Sequence, residues 1–194
     1  AEAIPEETAQ TQAESIPEEM AQEQNEDDVT IIASGTCGAE GNGSNLRWEL
    51  DSNGTLSISG SGAMKDYGYN SGSTRWNGYG DRIKSLTIAS GITKIGNYAF
   101  SDCTGLTSVT FPDNLTSIGS SAFKGCTGMT SIAFPAGLTS IGDSAFVGCS
   151  GLTSITLPAG LTGIGESTFA GCSGLTSITF PDGLTSISYF AFQD

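Results

Sequence analysis

A period of 23 residues governs the larger part of this chain and limits what it can fold into. Phenylalanine, cysteine, proline and isoleucine each recur at that interval, so four separate columns share one period. Self-similarity at a fixed period of this length is the signature of stacked repeat architectures. The four columns are Phe100, Phe123, Phe146, Phe169, Phe192; Cys103, Cys126, Cys149, Cys172; Pro112, Pro135, Pro158, Pro181; and Ile95, Ile118, Ile141, Ile164, Ile187.

Within one unit, the apolar spacing predicts a short strand. Leu152, Ile155 and Leu157 end in strict apolar–polar alternation, which is typical of a half-buried strand. The threonines and isoleucines between them favour that state. Pro158 follows and stops the strand, because proline has no N–H to donate to a ladder.

The rest of the unit predicts a second apolar pair and a tight turn. Leu138 and Ile141 form the pair and are followed by glycine, whereas Ala145, Phe146 and Cys149 have the spacing of a single helical or 3₁₀ turn. One unit is too small to bury its own apolar side. We therefore expect the units to stack with strands about 4.8 Å apart and with like residues in ladders through a common core.

The unit resembles the BspA-like type of leucine-rich repeat, whose pattern runs LxxIxLPxxLxxIGxxAFxxCxx. Residues 106–192 match it almost position for position, and residues 83–105 match it in part, with Ile83 on the column of Leu106. Departures are few, among them Met129 for leucine and Ser188 for glycine. The resemblance implies a right-handed solenoid with a parallel β-sheet and short helical turns, in a secreted or surface-attached bacterial protein of adhesion or host interaction.

An N-terminal β cap is predicted over residues 29–82, ahead of about five repeats over residues 83–194, the last of them incomplete. Residues 46–50 and 56–58 alternate with period 2 around Asp51-Ser-Asn53-Gly54, a strong turn signal. We expect a β-hairpin that covers the first repeat. Residues 60–80 are rich in glycine, serine and aromatic residues and predict a packed loop. Packing explains the aromatic residues most simply, and a carbohydrate-stacking site is the alternative.

The negative charge is concentrated at the start of the chain. The net charge is −14, and residues 1–28 contain ten acidic residues and no basic one. Such a segment has too little apolar area to offset its ordering entropy, so we predict a disordered acidic leader, or alternatively an acidic arm that binds a partner. The start at Ala1 fits either a processed secretory protein or an arbitrary boundary.

The composition predicts neither catalysis nor nucleic-acid binding. The chain has no histidine, which removes histidine-based nucleophile systems and histidine-ligated zinc. The acidic balance opposes binding to phosphate backbones, and no apolar run is long enough to cross a membrane. We expect no enzyme activity and no cofactor.

The four periodic cysteines are 23 residues apart, whereas zinc sites use cysteines two to four residues apart. Their simplest role is that of small core residues. Disulfides between neighbouring units remain an alternative, because the expected spacing of the coils lies within the disulfide range. A metal site is the least favoured explanation, and Cys37 falls in the cap.

The candidate binding surface is the row of hydroxyl side chains along the predicted strands, which a solenoid displays on one uncharged face. These residues are Thr107, Ser108, Thr110, Thr130, Ser131, Thr153, Ser154, Thr156, Thr176, Ser177 and Thr179. They are also ordinary solvent-facing strand residues, and a regular array of threonines can present an ice-like lattice.

Two functions follow from the sequence: a binding or adhesion module that recognises a protein or host surface, and a spacer that projects another domain. A glycan-binding module is a weaker alternative. The chain stops at Asp194 inside a repeat, so its last unit is expected to expose apolar surface. This predicts a fragment of a longer repeat protein, or a monomer with weak association through that end.

Overall fold

The computed structural model describes residues 29–69, 76 and 78–194, and its described part is all β-strand and turn. The leader predicted over residues 1–28 lies outside the described residues. The strands are β1 Ile31–Thr36, β2 Leu46–Asp51, β3 Thr55–Ala63, β4 Ser85–Ile88, β5 Gly91–Ile95, β6 Ser108–Thr110, β7 Ser117–Ile118, β8 Ser131–Ala133, β9 Ser140–Ile141, β10 Ser154–Thr156, β11 Gly163–Ile164, β12 Ser177–Thr179 and β13 Ser186–Ile187.

Two parallel ladders run along the stack of coils. In the first, β4, β6, β8, β10 and β12 pair in that order, and residues 23 apart face each other, as Ile155 faces Ile132 and Ile178. In the second, β5, β7 and β9 pair, while β11 pairs β13 separately. The parallel, in-register solenoid that the sequence predicts is therefore confirmed.

The hairpin predicted for the cap is also present. β2 and β3 pair antiparallel, with Trp48 opposite Ile58. At their turn, a carboxylate oxygen of Asp51 accepts the N–H groups of Asn53 and Thr55, and Gly54 takes a positive φ of 89°. Both features favour the reversal of the chain.

β3 runs further than the sequence suggests, since residues 60–63, expected in a loop, belong to it. Its first half pairs with β4 and its second half with β5, so this one strand starts both ladders. Gly60 has a φ of 111°, and a Cβ there would collide with the carbonyl oxygen of Asn45. Apolar–polar alternation does not predict this second half of β3, because it contains Gly60 and Gly62, which have no side chains to form the pattern.

The core lies between the two ladders and the turns that close each coil. The phenylalanine column stacks ring on ring, with centroids 5.4 Å apart for Phe123 and Phe146 and 5.5 Å apart for Phe146 and Phe169. Trp76 continues this stack into the cap: its ring centroid lies 5.2 Å from that of Phe100, and the two ring planes are nearly parallel. Among the described residues, no helix is long and apolar enough to span a membrane.

The segment Ala145–Cys149 differs from the sequence prediction of a helical or 3₁₀ turn. It forms successive hydrogen-bonded turns, and the described residues contain no helix. Ser144 and Gly148 take positive φ values of 58° and 72°, which no right-handed helical turn allows. The N–H of Phe146 instead donates to the carbonyl of Thr168 in the next coil, at 2.9 Å. The turns thus form a third ladder between coils.

Candidate functional site

The hydroxyl residues predicted as a binding surface lie on the first ladder. In β6, β8 and β10 the middle residue is buried, at Val109, Ile132 and Ile155, and its two neighbours are exposed. Alternation is the geometry of a strand, whose side chains point in turn to opposite faces. All eleven predicted residues are exposed.

Strand pairing arranges the side chains of this surface in two columns. Ser154 lies between Ser131 and Ser177, and Thr156 lies between Ala133 and Thr179. Neighbouring members of a column are about 4.8 Å apart, the usual separation of paired strands. We call this surface the hydroxyl face; its residues are Ser85, Thr87, Ser108, Thr110, Ser131, Ala133, Ser154, Thr156, Ser177 and Thr179.

A further predicted column has a structural role. The hydroxyl of Thr107 donates to the carbonyl of Lys84 at 2.9 Å, and that of Thr176 donates to Thr153 at 3.1 Å. Thr153 makes the same contact with Thr130 at 3.4 Å. These threonines therefore join consecutive coils, and their hydroxyl groups already donate hydrogen bonds within the protein. The sequence alone does not separate them from the neighbouring serines, because both columns recur with the same period.

The hydroxyl face carries no formal charge. Its ten positions are serine, threonine and one alanine, and strands β4, β6, β8, β10 and β12 contain no charged residue. Such a surface offers hydroxyl donors and acceptors with small methyl groups between them. It can bind through hydrogen bonds and close packing, and it offers no acid, base or nucleophile of its own.

The cysteines form a buried ladder of free thiols, as expected for core residues. The Cys149 thiol donates to the carbonyl of Phe123 at 3.2 Å, and Cys172 repeats the contact with Phe146 at 3.3 Å. Burial raises the pKa of the Cys103 and Cys149 thiols to about 12. These thiols are therefore protonated at neutral pH, the opposite of what a nucleophile or a metal ligand needs.

No group of three or more acidic, cysteine or histidine side chains suited to a metal ion was found in the part of the chain that the structure describes.

The structure divides the aromatic residues of the cap. Trp76 and Tyr67 are buried, and the Trp76 indole N–H donates to the carbonyl of Ala99, so packing accounts for both. Tyr79 is partly buried against the core. Tyr69, by contrast, is 71% exposed and lies beside Tyr98. The aromatic signal in the sequence thus combines core residues with one exposed ring.

A stack of parallel coils with a leucine, isoleucine, phenylalanine and cysteine core defines a leucine-rich repeat solenoid. Comparison with known proteins gives the family: residues 78–194 match the BspA type leucine rich repeat region, in six copies. This chain belongs to the BspA-type leucine-rich repeat family. No curated protein sequence matches it.

Solved structures similar to this chain include two bacterial proteins. A leucine-rich repeat protein from Eubacterium ventriosum shares 32% identity over 80% of this chain, with a TM-score of 0.68. A leucine rich cell surface protein from Faecalibacterium prausnitzii shares 26% identity over 83%, with a TM-score of 0.60. This chain spans 40% and 46% of their respective lengths, less than half of either.

Proposed function

We propose that this chain is a non-catalytic domain of a secreted or cell-surface protein that recognises another protein or a host surface through its hydroxyl face. The observation that carries the proposal is the in-register, uncharged array from Ser85 on β4 to Thr179 on β12, which is exposed from Thr87 onward. Leucine-rich repeat domains generally mediate protein interactions, which supports the same conclusion.

The ladders give this face the rigidity that recognition needs. Strands β4 to β10 of the face are each bonded to a strand on either side, and buried residues beneath them, such as Ile132 and Ile155, hold the sheet in place. A preorganised surface loses little conformational entropy when it binds. Its short side chains also lose little conformational entropy on binding, since serine and threonine have few rotamers to fix.

One observation supports a location outside the cell, and the burial of the thiols is compatible with it. The similar protein from Faecalibacterium prausnitzii is described as a cell surface protein. The buried thiols are protected from oxidation, since burial raises the pKa of Cys149 to about 12 and the reactive species is the thiolate. The four cysteines of the ladder can therefore persist in an oxidising compartment without forming disulfides.

The proposal is tested by display of the chain on a cell surface and titration with purified collagen, laminin and fibronectin. Ser131→Lys, Ser154→Lys and Ser177→Lys together place three positive charges on the hydroxyl face. We expect at least one of these matrix proteins to bind the unchanged chain, and the triple variant to bind it at least tenfold more weakly.

The matched control carries the same charge on the second ladder, as Ser117→Lys, Ser140→Lys and Ser186→Lys. The native sequence already has lysine in this column, at Lys94, which pairs with Ser117. Binding that survives in the control and fails in the test variant supports the proposal. Equal binding by the two variants contradicts use of the face, and no binding of any probe favours the spacer function instead.

We also propose that association of this chain, where it occurs, is weak and uses the last coil. Four of its apolar side chains are exposed, among them Ile187 at 53% and Phe190 at 58%. Asp182 and Asp194 lie on the same coil and oppose pairing of two like ends. Sedimentation equilibrium is expected to give a monomer at micromolar concentration; a stable dimer that persists in Ile187→Lys would contradict this.

A further inference from the structure

The first two coils depart from the repeat at three positions that lie close together. Tyr98 stands where serine recurs, Asp102 where glycine recurs, and Lys124 where Val147 and Ala170 follow. The recurring residues of the first two columns are Ser121, Ser144, Ser167 and Gly125, Gly148, Gly171. Because the repeats share one backbone, the inner coils show what each position needs for folding alone. The inner coils fold without tyrosine, aspartate or lysine at these positions, although Tyr98 itself is half-buried against the core.

Two of these departures stand in columns where the backbone of the repeat has a positive φ. Tyr98 has a φ of 53° and Asp102 a φ of 60°, both in the left-handed region that suits glycine. The serines of the Tyr98 column take the same conformation, with φ values of 54° at Ser121 and 58° at Ser144, so the positive φ belongs to the repeat. A bulky tyrosine is less favoured there than serine, whereas aspartate tolerates this region.

The cap completes the group with Tyr69. Its ring is 71% exposed, and the centroid of the Tyr98 ring lies 6.0 Å from it at an angle of 54°. The Lys124 ammonium group lies 5.1 Å from the centre of the Tyr69 ring. The Ser101 hydroxyl donates to the carboxylate of Asp102 at 3.1 Å. We call Tyr69, Tyr98, Asp102 and Lys124 the tyrosine patch.

We propose that the tyrosine patch binds a neutral saccharide. The C–H faces of a pyranose ring pack on aromatic rings, which bring large apolar area with a polar tip. Sugar hydroxyls can donate to the Asp102 carboxylate and accept from Lys124 and the tyrosine hydroxyls. The one negative and one positive charge cancel, so the patch does not select a charged ligand.

The size of the patch favours a saccharide over a protein partner. Two rings and two charged groups match one or two sugar units, whereas a stable protein interface covers about 800 Å² on each side. The patch lies on the turns that follow the second ladder, away from the strands of the hydroxyl face. It is therefore a separate site, and its test does not depend on the function proposed for that face.

The experiment uses saturation-transfer NMR with three neutral probes: maltotetraose, cellotetraose and N,N′,N″,N‴-tetraacetylchitotetraose. Saturation of the protein is expected to transfer to ring C–H protons of at least one tetrasaccharide. Tyr98→Ser with Lys124→Val restores the residues of the inner coils and is expected to weaken that binding at least tenfold. The fold is retained, since Ser144 stands in the column of Tyr98 two coils later and Val147 in the column of Lys124 one coil later.

A matched control exists at the far end of the stack. Phe190 occupies the column of Tyr98 with a φ of 58° and is 58% exposed, and the ring of Tyr189 lies 6.5 Å from it, but no cation of the described residues lies over this pair of rings as Lys124 lies over Tyr69. Phe190→Ser is expected to leave saccharide binding unchanged. Tyr69→Ala, which removes an exposed ring, provides a second loss variant should the double variant misfold.

Three results would overturn the proposal. They are no transfer to any of the three probes, unchanged affinity in the folded loss variants, and equal loss in Phe190→Ser, which would indicate nonspecific contact with exposed aromatic rings. Capture of a protein ligand that depends on Tyr69 and Tyr98, with no transfer to the tetrasaccharides, would also contradict it.

Discussion

Residues of the same repeat columns are buried at the N-terminal end of the coil stack and more exposed at its C-terminal end. At the N-terminal end, β3 supplies a strand to each ladder, and Trp76 lies flat on Phe100. At the C-terminal end of the described stack, no such group follows, and Ile187 is 53% exposed, whereas Ile118 in the same column is 1% exposed. The sequence of the column is constant, so the difference comes from the neighbouring coil.

This comparison shows where the stability of a repeat residue originates. An isoleucine in the column contributes in proportion to the apolar area that the adjacent coil removes from water. The cap therefore has the role of a coil, although its sequence is unlike the repeat. Terminal units with such a covering function are expected in stacked architectures, because each unit contacts only its neighbours.

The largest loss of stability is expected when the aromatic contact between the cap and the repeats is removed. Trp76→Ala should lower the free energy of unfolding by about 3–5 kcal/mol, because a buried indole leaves a cavity above Phe100. Phe192→Ala, at the other end of the ring stack, should cost clearly less, since that ring is packed on one side only. Urea denaturation measures both variants, and equal losses would contradict the role given to the cap.

A smaller loss of stability is expected when isoleucines of one column are replaced, and it should differ between a buried and an exposed member. Ile118→Ala should cost about 2–4 kcal/mol, because its side chain is fully buried. Ile187→Ala should change stability by less than about 1 kcal/mol, as is usual at exposed positions. The same urea denaturation applies, and a loss at Ile187 as large as that at Ile118 would show that something covers the last coil in solution.

The cysteine ladder predicts a smaller effect that depends on pH. Burial raises the pKa of Cys103 and Cys149 to about 12, above the ordinary value of 9.0, so the folded state holds these protons longer than the unfolded state. Their contribution is therefore complete below pH 9 and is lost as the pH rises toward 12, by up to about 1.4 kcal/mol per pH unit for each thiol.

Unfolding midpoints between pH 8 and pH 11 measure this loss. Cys103→Ala with Cys149→Ala should flatten the decline. The rate of alkylation compares individual cysteines, because burial raises the pKa of Cys172 only to about 11, below that of Cys149. Iodoacetamide should therefore modify Cys172 before Cys149 as the pH rises, and the reverse order would contradict the account.

The repeat period was sufficient to predict most of the architecture. Columns such as Ile118 and Phe146 require a parallel, in-register stack, and the alternation around Asp51 and Gly54 predicts the cap hairpin. Both predictions rest on side-chain periodicity, which backbone geometry converts directly into a buried face. The exposure of the serine and threonine columns followed from the same argument.

The features that escaped prediction depend on backbone conformation or on contacts between distant residues. The positive φ of Ser144 turns an apparent helical turn into a ladder between coils, and serine gives no signal of that. The bond from Thr107 to Lys84 looks in sequence like any exposed hydroxyl. Tyr69 and Lys124 are 55 positions apart, so only the fold brings them together.

Hydrogen exchange across the stack tests most directly the claim that each coil is held by its two neighbours. Amides bonded between inner coils, such as that of Phe146 to Thr168, should exchange slowly, with those of the cap strands β2 and β3. Amides from β12 to the end of the chain should exchange fastest among the repeats, because one side of that coil is open. Uniform protection from β4 to β13, or slowest exchange in the last coil, would contradict the account.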